Sequence, residues 1–104
     1  MKLKPHGYFL VSFVISFVDG EISRHEFDMD YSGYVIEHFP NFRKEHPRLA
    51  NRFADTIDVA YELGERKSDE ALRDAMANAL DDCKRLITTR QTTAAGHFFS
   101  ALLH

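Results

Sequence analysis

The feature that most constrains the fold is an apolar stretch near the amino terminus, residues 8–18, which reads YFLVSFVISFV and carries no charged side chain. Its eleven residues are too few to cross a bilayer. A buried strand is disfavoured because no later segment shows the period-two alternation of a partner strand. The stretch therefore predicts a buried helix over residues 6–18, with Phe9, Phe13 and Phe17 at successive four-residue steps.

A short basic segment, Met1-Lys-Leu-Lys4, followed by an apolar stretch is also typical of a secretory signal peptide. A signal peptide needs small residues at its cleavage site, whereas this stretch ends in Val18-Asp-Gly-Glu21. We therefore expect a retained first helix. Cys83 is the only cysteine and cannot form an internal disulfide, which is compatible with a reducing compartment, and we expect a cytoplasmic protein.

A capping box predicts the start of the second helix. In Ser23-Arg-His-Glu26 the serine oxygen can accept from an early helix amide, and the glutamate can reach back to the amide of the cap residue. Asp19-Gly20 supplies the break before it. Pro40 is expected to end this helix, because proline lacks the backbone donor, and residues 41–47 then form a connection.

Two further helices follow from apolar periodicity and end signals. Residues 48–63 repeat apolar side chains at three- and four-residue spacing, and Gly64 is the expected stop. Ser68 is the expected cap of the fourth helix. The inward side chains of that helix would be Leu72, Met76, Ala79, Leu80, Cys83, Leu86 and Ile87.

Four such helices indicate an all-α fold, a small antiparallel four-helix bundle. We expect one domain over residues 1–104, with the bundle core in residues 8–87 and a C-terminal extension in residues 88–104. After a break at residues 88–92, the apolar residues of the extension are compatible with a short last helix. A chain of this size buries roughly 60 to 70% of its surface, enough for a core without a metal or a disulfide.

Two segments match halves of a calcium-binding EF-hand loop. Residues 15–26 have the glycine and the final glutamate, but Ile15 and Phe17 stand where oxygen ligands are required. Residues 28–39 have the front half and place Phe39 at the last ligand position. The six histidines lack zinc-site spacing, and no phosphate-binding glycine loop is present. We expect no metal, no cofactor, no catalytic residue and therefore no enzyme.

One basic cluster indicates a second hypothesis, that the chain binds nucleic acid. Guanidinium and ammonium groups displace counterions from phosphates, so a small regulatory or adaptor protein that binds nucleic acid is the alternative hypothesis. The residues of this cluster are Arg43, Lys44, His46, Arg48 and Arg52.

Acidic side chains show a more regular geometry. At 100° per residue, the acids of the third helix occupy an arc of roughly 80° opposite its apolar face, and those of the fourth helix follow one line. The net charge of −3 is too small to predict a partner, so the informative feature is the distribution of the acidic side chains along the helices. The acids concerned are Asp55, Asp58, Glu62 and Glu65, then Glu70, Asp74 and Asp81.

The order of these signals resembles the colicin D immunity-like family of small bacterial proteins over about residues 8–87. The matching residues are Ser16-Phe-Val-Asp-Gly-Glu-Ile-Ser-x-x-Glu26-Phe27, then Phe53-x-x-x-Ile57-x-x-Ala60-Tyr61, then Ala71-Leu-Arg73 through Ala79-Leu80.

This resemblance implies an antiparallel four-helix bundle that is not an enzyme. It implies binding to a cognate nuclease toxin, typically a tRNA-cleaving domain, whose basic active cleft is covered by acidic side chains. We therefore expect the seven acids to form the toxin-binding surface, with neither direct nucleic-acid contact nor a membrane involved. The oligomeric state and the identity of the toxin stay open.

Overall fold

The computed structural model describes residues 2–87, and nearly all of this range is helical. The helices are α1 (Pro5–Val18), α2 (Arg24–Glu45), α3 (Pro47–Phe53), α4 (Val59–Leu63) and α5 (Asp69–Ile87). A π-helical segment, Ala54–Asp58, joins α3 to α4, so these three pieces form one continuous rod. The all-α fold is confirmed, with four rods in the described range. The C-terminal extension lies outside the described residues.

Neighbouring rods run antiparallel. The ring of Phe9, near the start of α1, lies 4.8 Å from that of Tyr34, and the ring of Phe17, at the end of α1, lies 4.2 Å from that of Phe27, near the start of α2. The end of α2 packs on α3, and the start of α5 packs on the end of α1. The predicted up-and-down bundle is therefore confirmed.

Aromatic rings fill much of the core. Phe17, Phe27, Phe42 and Phe53 are at most 1% exposed. Burying one such side chain contributes roughly 1.5–3 kcal/mol. The predicted inner set of α5 is buried except for Leu86, which is half-buried against the core. The apolar side chains of α5 thus face the core, as the periodicity predicted.

The local end signals of α2 and α5 are confirmed. Ser23 Oγ accepts from the Glu26 amide at 3.1 Å, and the Glu26 carboxylate accepts from the Ser23 amide at 3.3 Å. Ser68 Oγ accepts from the Ala71 amide at 3.2 Å. Gly20 has φ of +81°, a left-handed conformation that glycine adopts without strain, and it lies in the turn after α1.

The expected end of the second helix at Pro40 is wrong, as is the connection over residues 41–47. Helix α2 continues through Pro40 to Glu45, and His46 alone separates it from α3. Proline inside a helix costs about 3 kcal/mol. Packing offsets this cost, because Phe42 is fully buried and its ring lies 5.6 Å from that of Phe53.

The junction after α2 holds the start of α1. One Glu45 carboxylate oxygen accepts from the Gly7 amide at 2.9 Å and the other from the His6 amide at 3.1 Å. His46 Nε2 accepts from the Lys4 amide at 3.0 Å. Side chains from α2 and its end therefore cap the first amides of α1, which have no intrahelical partner.

We expect Glu45→Ala to lower the free energy of unfolding by about 1–2 kcal/mol, the usual effect of removing a helix cap. Urea unfolding followed by circular dichroism measures it. Glu62→Ala, which removes an exposed carboxylate, is the matched control and should change stability by less than about 0.5 kcal/mol. Equal losses in the two variants would contradict the capping role.

We expect the pH dependence of stability to reflect the same junction, through His46 between α2 and α3. Burial lowers the pKa of His46 below its ordinary value, and the charge of Lys4 adds to this effect while Glu45 opposes it. The unfolded chain then binds more protons, so stability is complete above about pH 6.5 and falls as the pH drops below it. His46→Gln retains an acceptor without titrating. We expect a shallower decline of stability between about pH 7 and 5 in this variant, and identical slopes would refute the assignment.

Candidate functional site

The up-and-down topology separates the charges of the bundle into two ends. We call residues 19–30 and 62–74 the acidic end and residues 2–6, 41–52 and 81–87 the basic end. Helix α2 has 22 residues and spans about 33 Å from one end of the bundle to the other, and residues 30 and 41, which bound the two ends on this helix, are about 16 Å apart. The carboxylates of the acidic end are Asp19, Glu21, Glu26, Asp28, Asp30, Glu62, Glu65, Asp69, Glu70 and Asp74. The cations of the basic end are Lys2, Lys4, Arg43, Lys44, Arg48, Arg52, Lys84 and Arg85.

Arg24 is used inside the acidic end. Its guanidinium donates to the carbonyl oxygens of Gly64, Glu65 and Lys67 at 2.9–3.2 Å and pairs with Asp28 at 2.9 Å. These contacts join the start of α2 to the loop after α4. The charge of Arg24 is therefore directed at the chain rather than at solvent, and its side chain is only 14% exposed.

Arg73 performs the same task for the end of α1. Its Nε donates to the Phe17 carbonyl at 3.0 Å, and Nη2 donates to the Ile22 carbonyl at 3.3 Å. The guanidinium carbon also lies 4.6 Å from the centre of the Phe17 ring. Lys67 and Arg66 are the remaining cations of this end, so its outer surface is dominated by carboxylates.

Helix dipoles explain only half of this charge separation. Anions stabilise the amino end of a helix and cations the carboxyl end. Helices α2 and α5 obey the rule, with acidic first turns at the acidic end and basic last turns at the basic end. Helices α1 and α4 end at the acidic end without a basic residue in their last turns. The cations there come from other helices, because Arg73 donates to the Phe17 carbonyl and Arg24 to the Gly64 carbonyl.

The start of α1 has no acidic residue in its own first turn, and Lys2 and Lys4 precede it. The anion at this end is the Glu45 carboxylate from the end of α2, which accepts from the His6 and Gly7 amides. The ends of α1 and α4 are therefore balanced by side chains of neighbouring helices rather than by residues of their own.

The structure brings together four of the seven acids expected to bind a toxin. Glu62, Glu65, Glu70 and Asp74 are exposed and lie at the acidic end. The other three lie elsewhere. Asp55 is exposed on the π-helical segment, and Asp81 is exposed at the basic end, where it pairs with Lys84 at 3.6 Å.

Asp58 is not on a free outer face as the arc indicated. It is half-buried, and its Oδ1 accepts from the Tyr31 hydroxyl at 2.9 Å. Tyr61 donates in the opposite direction to Asp28 at 3.2 Å, and the two tyrosine rings are stacked 4.1 Å apart. Burial, with Asp58 adding to it, raises the pKa of Tyr31 far above its ordinary value, so its hydroxyl remains a donor.

The π-helical segment is the reason for this error. The arc was calculated for a regular α-helix, but Ala54–Asp58 forms the wider turn of a π-helix, in which hydrogen bonds join residues five apart. Asp58, the last residue of the segment, faces Tyr31 on α2. The acidic face of this rod therefore divides into an inward carboxylate at Asp58 and outward carboxylates at Asp55 and Glu62.

Sequence reasoning missed half of the acidic end, the carboxylates of residues 19–30. The signal was available, because an antiparallel order places the start of the second helix beside the end of the third. The basic cluster was also incomplete. Lys2 and Lys4 before α1 and Lys84 and Arg85 on α5 join Arg43, Lys44 and Arg48, while His46 is engaged by the Lys4 amide.

Cys83 is fully buried on α5, and burial raises the pKa of its thiol. Its Sγ lies 3.6 Å from Thr56 Oγ1. Among residues 2–87, no group of three or more histidine, cysteine, aspartate or glutamate side chains is arranged to hold a metal ion. Within the same part of the chain, no helix has the length and apolar character needed to cross a membrane.

Comparisons with protein-family models, curated proteins and solved structures find no match to this chain.

Asp58 and Asp55 form a matched pair for testing how the acids are used. Asp58→Ala leaves the buried Tyr31 hydroxyl without its acceptor, and we expect a loss of about 1–3 kcal/mol in the free energy of unfolding. Asp55→Ala should stay within about 0.5 kcal/mol of the parent. Asp58→Asn keeps an acceptor oxygen and should recover part of the loss. Urea unfolding measures all three, and equal stabilities of the two alanine variants would contradict a structural role for Asp58.

Proposed function

We propose that this chain is an immunity protein that neutralises a nuclease toxin by docking its acidic end on the basic active cleft of the toxin. The observation that carries the proposal is the gathering of ten carboxylates, from residues 19–30 and 62–74, at one end of the bundle. Arg24 and Arg73 at this end are directed at backbone carbonyls, so the exposed carboxylates suit an external partner of opposite charge.

The mechanism is occlusion. A nuclease that cleaves tRNA holds phosphates with lysine and arginine, and a surface of carboxylates competes for the same side chains. Long-range attraction steers the encounter and raises the association rate above that of neutral surfaces. Such an inhibitor needs neither catalysis nor a cofactor, and it acts in the cytoplasm, where the tRNA substrate is. Of the seven acids of the sequence hypothesis, Glu62, Glu65, Glu70 and Asp74 are direct contacts in this proposal, and Asp58 supports the fold beneath them. Asp55, on the π-helical segment, and Asp81, at the basic end, lie outside the docking surface.

Nucleic-acid binding is the second candidate, because the fold gathers cations from three separate segments at the basic end. Phosphates of RNA or DNA fit this surface by charge. The basic end is the weaker candidate, since Glu45, Asp81 and Asp82 lie among its cations and Asp81 pairs with Lys84 at 3.6 Å.

The two candidates predict opposite responses to charge reversal. In Glu65→Lys/Glu70→Lys, association with an inactive tRNA-cleaving toxin domain should slow by more than about tenfold at roughly 0.05 M salt and by less at roughly 0.5 M, where screening is stronger. The basic-end control, Arg43→Glu/Arg48→Glu, should leave this rate within about threefold. Stopped-flow association against a panel of such toxin domains gives the comparison.

A parallel titration with mixed tRNA decides between the candidates. Tight, salt-sensitive tRNA binding that is lost only in Arg43→Glu/Arg48→Glu, together with no binding to any toxin domain of the panel, would replace the immunity proposal with the nucleic-acid one. Toxin inhibition lost only in the acidic double variant supports the immunity proposal.

A further inference from the structure

A groove of about 400 Å³ lies between α1 and α2 and opens beside the acidic end. Its apolar wall is formed by Phe9, Phe13, Ile22 and Tyr34. The volume falls within the range of about 300–1,000 Å³ that is usual for small-molecule sites. A bundle of this size therefore has room on its surface for one large side chain of a partner.

The rim of the groove is acidic on one side. Glu26 and Asp30, one helical turn apart on α2, line it together with the apolar wall. Both residues are exposed, so a partner can reach their carboxylates from solvent. Rings and carboxylates facing one space attract a cation, because the ring faces and the carboxylates both carry negative potential.

The floor of the groove holds two serines of α1. Ser12 lines the groove, and its Oγ is buried without a hydrogen-bond partner among the described residues. Because this oxygen has almost no exposed area, the carboxylates of the rim are the acceptors that a guest can reach. Ser16, one turn later, is already satisfied, because it donates to the Ser12 carbonyl at 3.0 Å.

We propose that this groove takes an arginine side chain of the basic partner, an inference that rests on the proposed function for the source of that arginine. The guanidinium has donors for Glu26 and Asp30, and its flat face and aliphatic stem suit the wall of aromatic rings. Lysine has a compact, strongly hydrated ammonium that stacks less well, so arginine is the preferred occupant.

The groove and the outer carboxylates of α5 can be compared with matched variants. Glu26 and Asp30 are separated by four residues on α2, as Glu70 and Asp74 are on α5. Glu26→Gln/Asp30→Asn removes the two rim charges, and glutamine still suits the capping box. Glu70→Gln/Asp74→Asn removes the same two charges away from the groove.

The probe is the tripeptide acetyl-Gly-Arg-Gly-amide, titrated into the isotopically labelled full chain and followed by amide NMR shifts. We expect saturable shifts concentrated at residues 8–16 and 26–34. The rim double variant should weaken binding by about tenfold and the α5 double variant by less than about twofold. The lysine tripeptide should bind more weakly, and the citrulline tripeptide, which lacks the charge, should not saturate.

Separate control experiments distinguish a loss of folding from a loss of charge. Circular dichroism and thermal unfolding verify the variants, and Asp30→Asn alone, outside the capping box, should still weaken binding by about threefold. Shifts spread over the whole acidic end, equal losses in both double variants, or no saturation with the parent chain would each overturn the groove inference. Toxin binding without tripeptide binding refutes the groove alone, whereas tripeptide binding without any toxin partner refutes the proposed function and leaves the groove as an arginine site.

Discussion

The stack of Phe17 on Phe27 is the contact on which the acidic end depends. Both rings are fully buried, 4.2 Å apart, and each extends the contact to another rod. The guanidinium of Arg73 on α5 lies 4.6 Å from the centre of the Phe17 ring, and the Tyr61 ring on α4 lies 5.7 Å from that of Phe27. One aromatic cluster thus joins all four rods beneath the surface that carries most of the carboxylates.

This cluster explains how the bundle tolerates concentrated negative charge. Repulsion between exposed charges is weakened by water and salt, and individual terms stay near or below about 1 kcal/mol. Burying Phe17 and Phe27 contributes roughly 1.5–3 kcal/mol each, and Arg24 and Arg73 neutralise carbonyl groups at the helix ends. The buried rings therefore fix the backbone segments that carry the carboxylates, while the carboxylates themselves remain exposed.

The sequence predicted the helix ends that depend on neighbouring residues, and it failed for features that depend on contacts between distant segments. The capping box at Ser23 and the stop at Gly64 depend on neighbouring residues, and both were readable. The helix that passes through Pro40 depends on Phe42, whose ring packs on a segment beyond the next junction. The position of Asp58 depends on a π-helical segment that no local pattern indicated. The acidic end was only partly predicted, because it combines segments distant in the chain.

Under the two proposals, the acidic end and the neighbouring groove act on a partner over different distances. Attraction between net charges acts over about one Debye length, roughly 8 Å at physiological salt, and sets how fast partners meet. It does not distinguish one basic protein from another. A groove that accepts a single side chain acts only on contact and affects how slowly the complex dissociates, where most differences between related complexes arise. Helix α2 carries both Glu26 and Asp30 beside the aromatic wall of the groove. The same helix therefore contributes to both the acidic end and the groove. Specificity within a group of basic toxins would then lie in the groove, while the outer carboxylates supply an attraction common to all of them.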